Sequence, residues 1–202
     1  MVPSEDNGPL LRLCFVGDEL IAGTGDPRAQ GWVGRVLAQI DNYHDRMVAI
    51  LPVHHESTLA LSLRWETECR QRFTPRTDNR LIVGLGVQDL REGISLARAR
   101  LNLAKILDAA ATARHAAFVV GPPPLPGVDP GKLSEYSEAF HEVSRRRSVP
   151  YAETFEHLYQ HEQWRSDVAA SPSGLPGHVG YELITWLVMH YGFKEWLCGA
   201  AS

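Results

Sequence analysis

Leu11-Arg12-Leu13-Cys14-Phe15-Val16-Gly17-Asp18-Glu19-Leu20 (LRLCFVGDEL) is the stretch on which the fold turns. Its apolar run stops abruptly at Gly17-Asp18, the pattern of a buried strand that ends in a turn. The same pattern recurs downstream in Arg46 to Val53 (RMVAILPV), Arg80 to Leu85 (RLIVGL), Ala116 to Val120 (AAFVV) and, more briefly, Pro150 to Glu153. Amphipathic segments separate these runs. Gly31 to Tyr43 places Trp32, Val36, Leu37 and Ile40 on one helical face. Ser57 is suited to cap a helix that continues to about Phe73. Ile94 to Arg114 reads as a long helix, Pro130 to Arg147 as a helix with proline in its first turn, and His178 to Tyr191 as the last long helix. The longest segments without periodicity are 121–129 and 167–177.

Short apolar strands alternating with longer helices predict an α/β fold: a three-layer α/β/α sandwich around a parallel sheet of about five strands. No repeat, low-complexity tract or linker interrupts the chain, so one domain is expected over 1–202, with 1–9 a flexible polar lead. In such sheets ligands bind beyond the carboxyl ends of the strands. Chemistry is therefore sought in 17–26, 53–57, 86–91, 121–129 and 167–178.

Composition bounds the partners. The chain has 202 residues, 44% apolar and 22% charged, with a net charge of -4. That is the profile of a soluble globular protein without a basic field for nucleic acid. Arg145, Arg146 and Arg147 read as a solvated helix end. No apolar stretch approaches the roughly 20 residues of a membrane span, and no leader pattern precedes the first strand, so a cytoplasmic location is expected. Cys14, Cys69 and Cys198 form neither a disulfide framework nor a zinc spacing, and Cys14 reads as a core residue. No pattern fixes an oligomeric state.

Several of these segments resemble the SGNH/GDSL hydrolases, a family of esterases, lipases and acylhydrolases with a flavodoxin-like fold. The resemblance runs from about residue 11 to residue 187. Gly17-Asp18-Glu19-Leu20 stands where the family carries Gly-Asp-Ser and an apolar residue, and Gly23-Thr24-Gly25-Asp26-Pro27 with Gly31-Trp32 looks like one bacterial branch. In the turn Val53-His54-His55-Glu56-Ser57, His55 falls at the family's oxyanion-hole glycine. Gly86-Val87-Gln88-Asp89 matches Gly-x-Asn-Asp, with Gln88 for the asparagine. Val119 to Pro124, Val149-Pro150-Tyr151, Trp164 and Val168 also align, as do Pro176, Gly177, Gly180 and Tyr181 near the end. The family's catalytic Asp and His fall at Pro172 and Leu175 in an ungapped register. With one deletion, Ser173 takes the aspartate position and no histidine remains.

A serine esterase needs a hydroxyl nucleophile, an imidazole base oriented by a carboxylate, and donors aimed at an oxyanion. The resemblance implies that all three have changed here. Two consequences are open. Glu19, His55 and Gln88 form a repurposed catalytic set acting on a small ester-, acyl- or polyketide-like molecule, with Asp18, His54, Glu56, Asp89, Leu175 and His178 lining the site; a carboxylate beside an imidazole is an acid–base pair. Alternatively, Glu19 plugs the old oxyanion hole through the N–H of residue 55, in a non-catalytic descendant that binds a small ligand or a protein. A relocated nucleophile at Ser57, Ser171 or Ser173 is a third reading, and it needs a newly placed base. Asp18 and Asp26 read as turn-holding carboxylates, and His178 as a residue at a helix start within reach of the pocket. No cofactor is expected. No metal is expected either, because adjacent histidines leaving a strand ordinarily point in different directions.

Overall fold

The computed structural model describes residues 10–40 and 46–199. The expected lead at 1–9 and the far end of the first expected helix, 41–43, lie outside them. In chain order the elements are β1 (Leu11–Gly17), α1 (Gly31–Ala38), β2 (Arg46–Pro52), α2 (Thr58–Arg70), β3 (Asp78–Gly84), α3 (Gln88–Arg91), α4 (Leu96–Thr112), β4 (Ala116–Val120), α5 (Pro130–Arg145), β5 (Tyr151–Ala152), α6 (Phe155–Tyr159), α7 (Glu162–Ala170), α8 (His178–His190) and α9 (Phe193–Cys198). All strands pair in parallel, in the order β2-β1-β3-β4-β5. No helix among the described residues is long and apolar enough to cross a membrane.

The strands are apolar throughout because both faces of the sheet are covered, and the period of two sorts their side chains. Leu13 and Phe15 of β1, Ile82 of β3 and Phe118 of β4 pack with α1, α8 and α9 on one face. Cys14, Val16, Leu81, Val83 and Val119 pack with α2, α4 and α5 on the other. Edge strand β2 is different: Met47 and Ile50 stay exposed.

Local signals place the helix starts. Ser57 accepts the Ala60 N–H as the cap of α2, as expected, and Asp129 accepts the Lys132 N–H ahead of Pro130. Ser95 accepts the Arg98 N–H, so α4 begins at Leu96 and not at Ile94. The segment 167–177 is not wholly irregular, since α7 runs on to Ala170. Trp164 and Val168, four residues apart, bury its inner face. The short α3, α6 and α9 carry too few turns to show a helical period.

The chain leaves β1 toward β2 on one side and crosses to β3 on the other. The carboxyl ends of β1 and β3 are thus the point where the winding reverses, which in open α/β sheets opens a crevice. Gly17 is required at that point: a Cβ there would come 2.3 Å from the Gly84 carbonyl oxygen of β3.

Candidate active site

Asp18 follows β1 and is buried. Its Oδ1 accepts the Leu20 N–H at 3.0 Å, holding the turn as expected. The other oxygen lies over Gly86, where a Cβ would come within 1.7 Å. Burial, then the neighbouring charge of Glu19, pushes the Asp18 carboxyl up to about 7. Enclosed in this way, Asp18 supports the crevice floor and is not an open ligand contact.

Glu19 is 6% exposed, and its Oε2 accepts the His55 N–H at 2.8 Å. The same carboxylate faces two imidazoles: His54 Nδ1 lies 3.4 Å from Oε2 and His55 Nδ1 lies 3.3 Å from Oε1. The two rings lie against each other, with centroids 3.7 Å apart and planes tilted by 36°. The divergence expected of adjacent histidines therefore does not occur. His55 has φ of 56°, in the left-handed region, and this reverses the alternation that an extended chain would impose. Glycine adopts that conformation without strain, which is why a glycine suits this turn. The imidazoles are open to solvent while Glu19 beneath them is not.

The other acidic residues of the turns are engaged in structure. Glu56 is buried and bound in bidentate fashion by Arg64, Nε to Oε1 and Nη2 to Oε2, both at 2.5 Å. Arg64 Nη2 also donates to the Leu51 carbonyl at 2.8 Å, tying β2 to α2. Asp89 is buried and accepts the Thr58 N–H at 2.8 Å, at the start of α2. Burial raises both carboxyls, against the opposing bonds from Arg64 and Thr58. Glu56 and Asp89 both flank the small cleft beside Gly17 and Gly86; Glu56 is held there by Arg64, while Asp89 bonds through Oδ1 and its buried Oδ2 has no hydrogen-bond partner. Gln88 is a correction to the expected catalytic set. Its amide donates to Glu92 Oε1 at 3.2 Å within the turn of α3, not toward Glu19. Ser57 is buried at the α2 cap, and Ser171 and Ser173 bond to each other at 3.0 Å.

His178 does not join Glu19. Its Nδ1 lies 2.5 Å from Arg35 Nη2 and its Nε2 lies 3.0 Å from Glu182 Oε1. Arg has no acceptor, so Nδ1 accepts and Nε2–H donates. Arg35 is itself held by Asp26 at 2.5 Å. Leu175 is buried, with its Cβ against Gly25, where it packs the turn and offers no ligand group. The sequence reading missed Asp167, which accepts the N–H groups of Gly177 and Gly180 at 2.6 and 3.0 Å and so caps α8. The two glycines, with no Cβ to obstruct the carboxylate, are the signal for it.

A separate apolar cavity of about 300 Å³ lies under the loop after β4, lined by Leu125, Val128, Leu133, Phe155, Trp164 and Val168. The proline-rich loop is anchored where Trp164 Nε1–H donates to the Pro124 carbonyl at 2.9 Å.

A family model described as the GDSL-like Lipase/Acylhydrolase family matches residues 15–183. No curated protein matches the sequence. Among solved structures, a lipase/acylhydrolase from Enterococcus faecalis is 19% identical, with TM-score 0.72, covering 89% of this chain and 94% of its own. A psychrotrophic esterase from Pseudoalteromonas sp. is 18% identical, with TM-score 0.68, covering 93% and 99%. An acetylxylan esterase from Geobacillus stearothermophilus is 15% identical, with TM-score 0.72, covering 94% and 97%. At these identities the likeness is one of fold: five parallel strands between two helical layers.

Proposed function

We propose that this chain, which belongs to the GDSL-like lipase/acylhydrolase family, has exchanged serine acyl transfer for carboxylate–imidazole chemistry on a small ester- or acyl-type molecule. The observation that carries this reading is the environment of Glu19: a buried carboxylate with two solvent-facing imidazoles at 3.3 and 3.4 Å. Glu19 takes a proton from water or from an acidic substrate position, and His54 and His55 pass it to solvent. No hydroxyl stands at residue 19, and the side chains at 172 and 175 are proline and leucine, so an acyl-enzyme on a serine triad is not expected. Ser57, Ser171 and Ser173 have the partners described above and no imidazole base among them. The His55 N–H already serves Glu19, so a reaction needing two backbone donors at an oxyanion is disfavoured. Gln88 leaves the catalytic set, and His54 enters it beside His55.

A second reading is favoured by that same N–H bond: a plugged donor is what a non-catalytic binding protein of this fold would keep. The two are separated by a panel of short esters, thioesters and lactones, screened by mass change with wild type and Glu19→Gln. The catalytic reading expects turnover that falls at least about 100-fold in Glu19→Gln, in line with the contribution of general acid–base groups. It also expects no labelling by a serine-directed phosphonate. Turnover equal in the two proteins, or phosphonate labelling that abolishes it, would refute the reading. Saturable binding without turnover would favour the second.

A further inference from the structure

We propose that Glu19, His54 and His55 form a binding site for a divalent transition-metal cation of the zinc class. Three donors, two imidazole nitrogens and one carboxylate oxygen, lie within 4.8 Å of one another. His55 Nδ1 lies 3.3 Å from Glu19 Oε1, and His54 Nδ1 lies 3.4 Å from Oε2. Zinc bonds of about 2.0–2.1 Å at tetrahedral angles put neighbouring ligand atoms roughly 3.3–3.4 Å apart. A charge-assisted hydrogen bond between imidazolium and carboxylate would instead close to about 2.7–2.9 Å. Each imidazole–carboxylate pair is thus spaced as two ligands of one ion and not as a hydrogen-bonded pair.

Three further features support a built site. First, Glu19 is held from behind, its Oε2 fixed by the His55 N–H at 2.8 Å, and such outer bonds orient a metal ligand before the ion arrives. Second, the left-handed φ of 56° at His55 costs backbone strain and is what turns both Nδ1 atoms to one side. Third, the two rings lie against each other, with centroids 3.7 Å apart and planes tilted by 36°, so both imidazoles stand together on one side of the turn. The imidazoles are 67% and 50% exposed while the Glu19 side chain is 7% exposed, so the fourth position opens to solvent, the arrangement of a reactive rather than a closed structural site. Two nitrogen donors and one oxygen select against magnesium and calcium, which take oxygen ligands.

This inference uses the same cluster as the proposed function, but it is read by binding and stands or falls without turnover. Protein stripped with chelator is titrated calorimetrically with Zn²⁺, and with Co²⁺ while the visible absorption of tetrahedral cobalt is followed. One equivalent is expected to bind. His54→Ala and His55→Ala are each expected to weaken binding by at least about tenfold and to abolish the cobalt spectrum. His190→Ala, at the far end of α8, leaves both unchanged and Mg²⁺ does not compete. Both site histidines are exposed, so unfolding of the variants is not expected, and circular dichroism checks it. Zn²⁺ binding that survives both substitutions, or no binding at all, overturns the site. If the stripped protein turns over substrate and Zn²⁺ neither binds nor alters the rate, the metal fails and the function stands. If Zn²⁺ binds and no substrate is turned over, the reverse holds.

Discussion

Asp26 and Glu19 lie in the same loop after β1 and are almost equally buried, at 7% and 6% exposure, yet they are used in opposite ways. Asp26 is saturated. Its oxygens accept the N–H groups of Arg28, Gln30 and Gly31 and the Arg35 guanidinium, at 2.5 to 3.2 Å. Arg35 in turn holds the Gly31 carbonyl at 2.7 Å and His178 at 2.5 Å, which joins the loop to α1 and α8. Glu19 has one hydrogen bond from the backbone, and its remaining capacity faces two imidazoles open to solvent. A buried carboxylate held by four donors is a structural knot; one held by a single backbone donor and facing two imidazoles is a candidate for chemistry or for a cation.

The largest expected effect tests that contrast directly. Asp26→Ala leaves the Arg35 guanidinium buried without its partner, and the loss of stability is expected to be about 3–5 kcal/mol in urea denaturation. Glu19→Ala removes one hydrogen bond and also a negative charge beside Asp18, so its cost is expected to stay within about 1 kcal/mol. Equal losses would break the comparison and make Glu19 as structural as Asp26.

The pH dependence of the two regions is expected to run in opposite directions. Burial alone would raise the Asp26 carboxyl, but the Arg35 bond and the Arg28 and Gly31 N–H groups outweigh it and hold the group well below its ordinary 3.8. Its contribution is therefore present above 3.8 and is lost as pH falls through and below that value. Asp18 is the reverse. Burial and the charges of Glu19 and Glu56 raise it to about 7, against the Leu20 N–H and the Arg91 charge. The contribution of its protonated form is full below the ordinary 3.8 and is lost as pH rises through about 7. Asp18→Asn should then gain stability over wild type at pH 8 and little at pH 4, while Asp26→Asn should be most damaging at pH 8 and least below pH 4, as thermal melts across that range would reveal. Parallel profiles would remove the distinction.

The same contrast marks what the sequence could and could not disclose. The strand LRLCFV, its stop at Gly17-Asp18 and the caps at Ser57 and Pro130 are local patterns, and the fold follows from them. Which acidic residues of the crevice stay free is not local. Glu56 is taken up by Arg64, and one oxygen of Asp89 by the first amide of α2, contacts made only when elements meet. Gln88 stands at the oxyanion position by resemblance to Gly-x-Asn-Asp; that its amide meets Glu92 follows from the short helix α3, whose period is too brief to show in the sequence. The pairing of His54 with His55 depended on the sign of a single φ angle, and a sequence reading assigns the extended value by default.

That angle also supplies the smallest and most specific prediction. A left-handed conformation costs a residue with a side chain roughly 1–2 kcal/mol, and glycine avoids that cost but loses about 0.5–1 kcal/mol more in chain entropy on folding. His55→Gly is therefore expected to raise stability by about 0.5–1 kcal/mol, read as an upward thermal shift. The backbone N–H survives the change, so Glu19 keeps its donor and the fold around it. At the same time the cation loses one of its three ligands, and Zn²⁺ affinity should fall at least about tenfold. At Asp26 no substitution is expected to stabilise, because that site is built for the fold. A gain in stability paired with a loss of binding at residue 55 would identify a residue strained in favour of its site. A loss of stability would mean that the contact between the two imidazoles holds the turn, and Glu19 would then move to the structural side of the comparison.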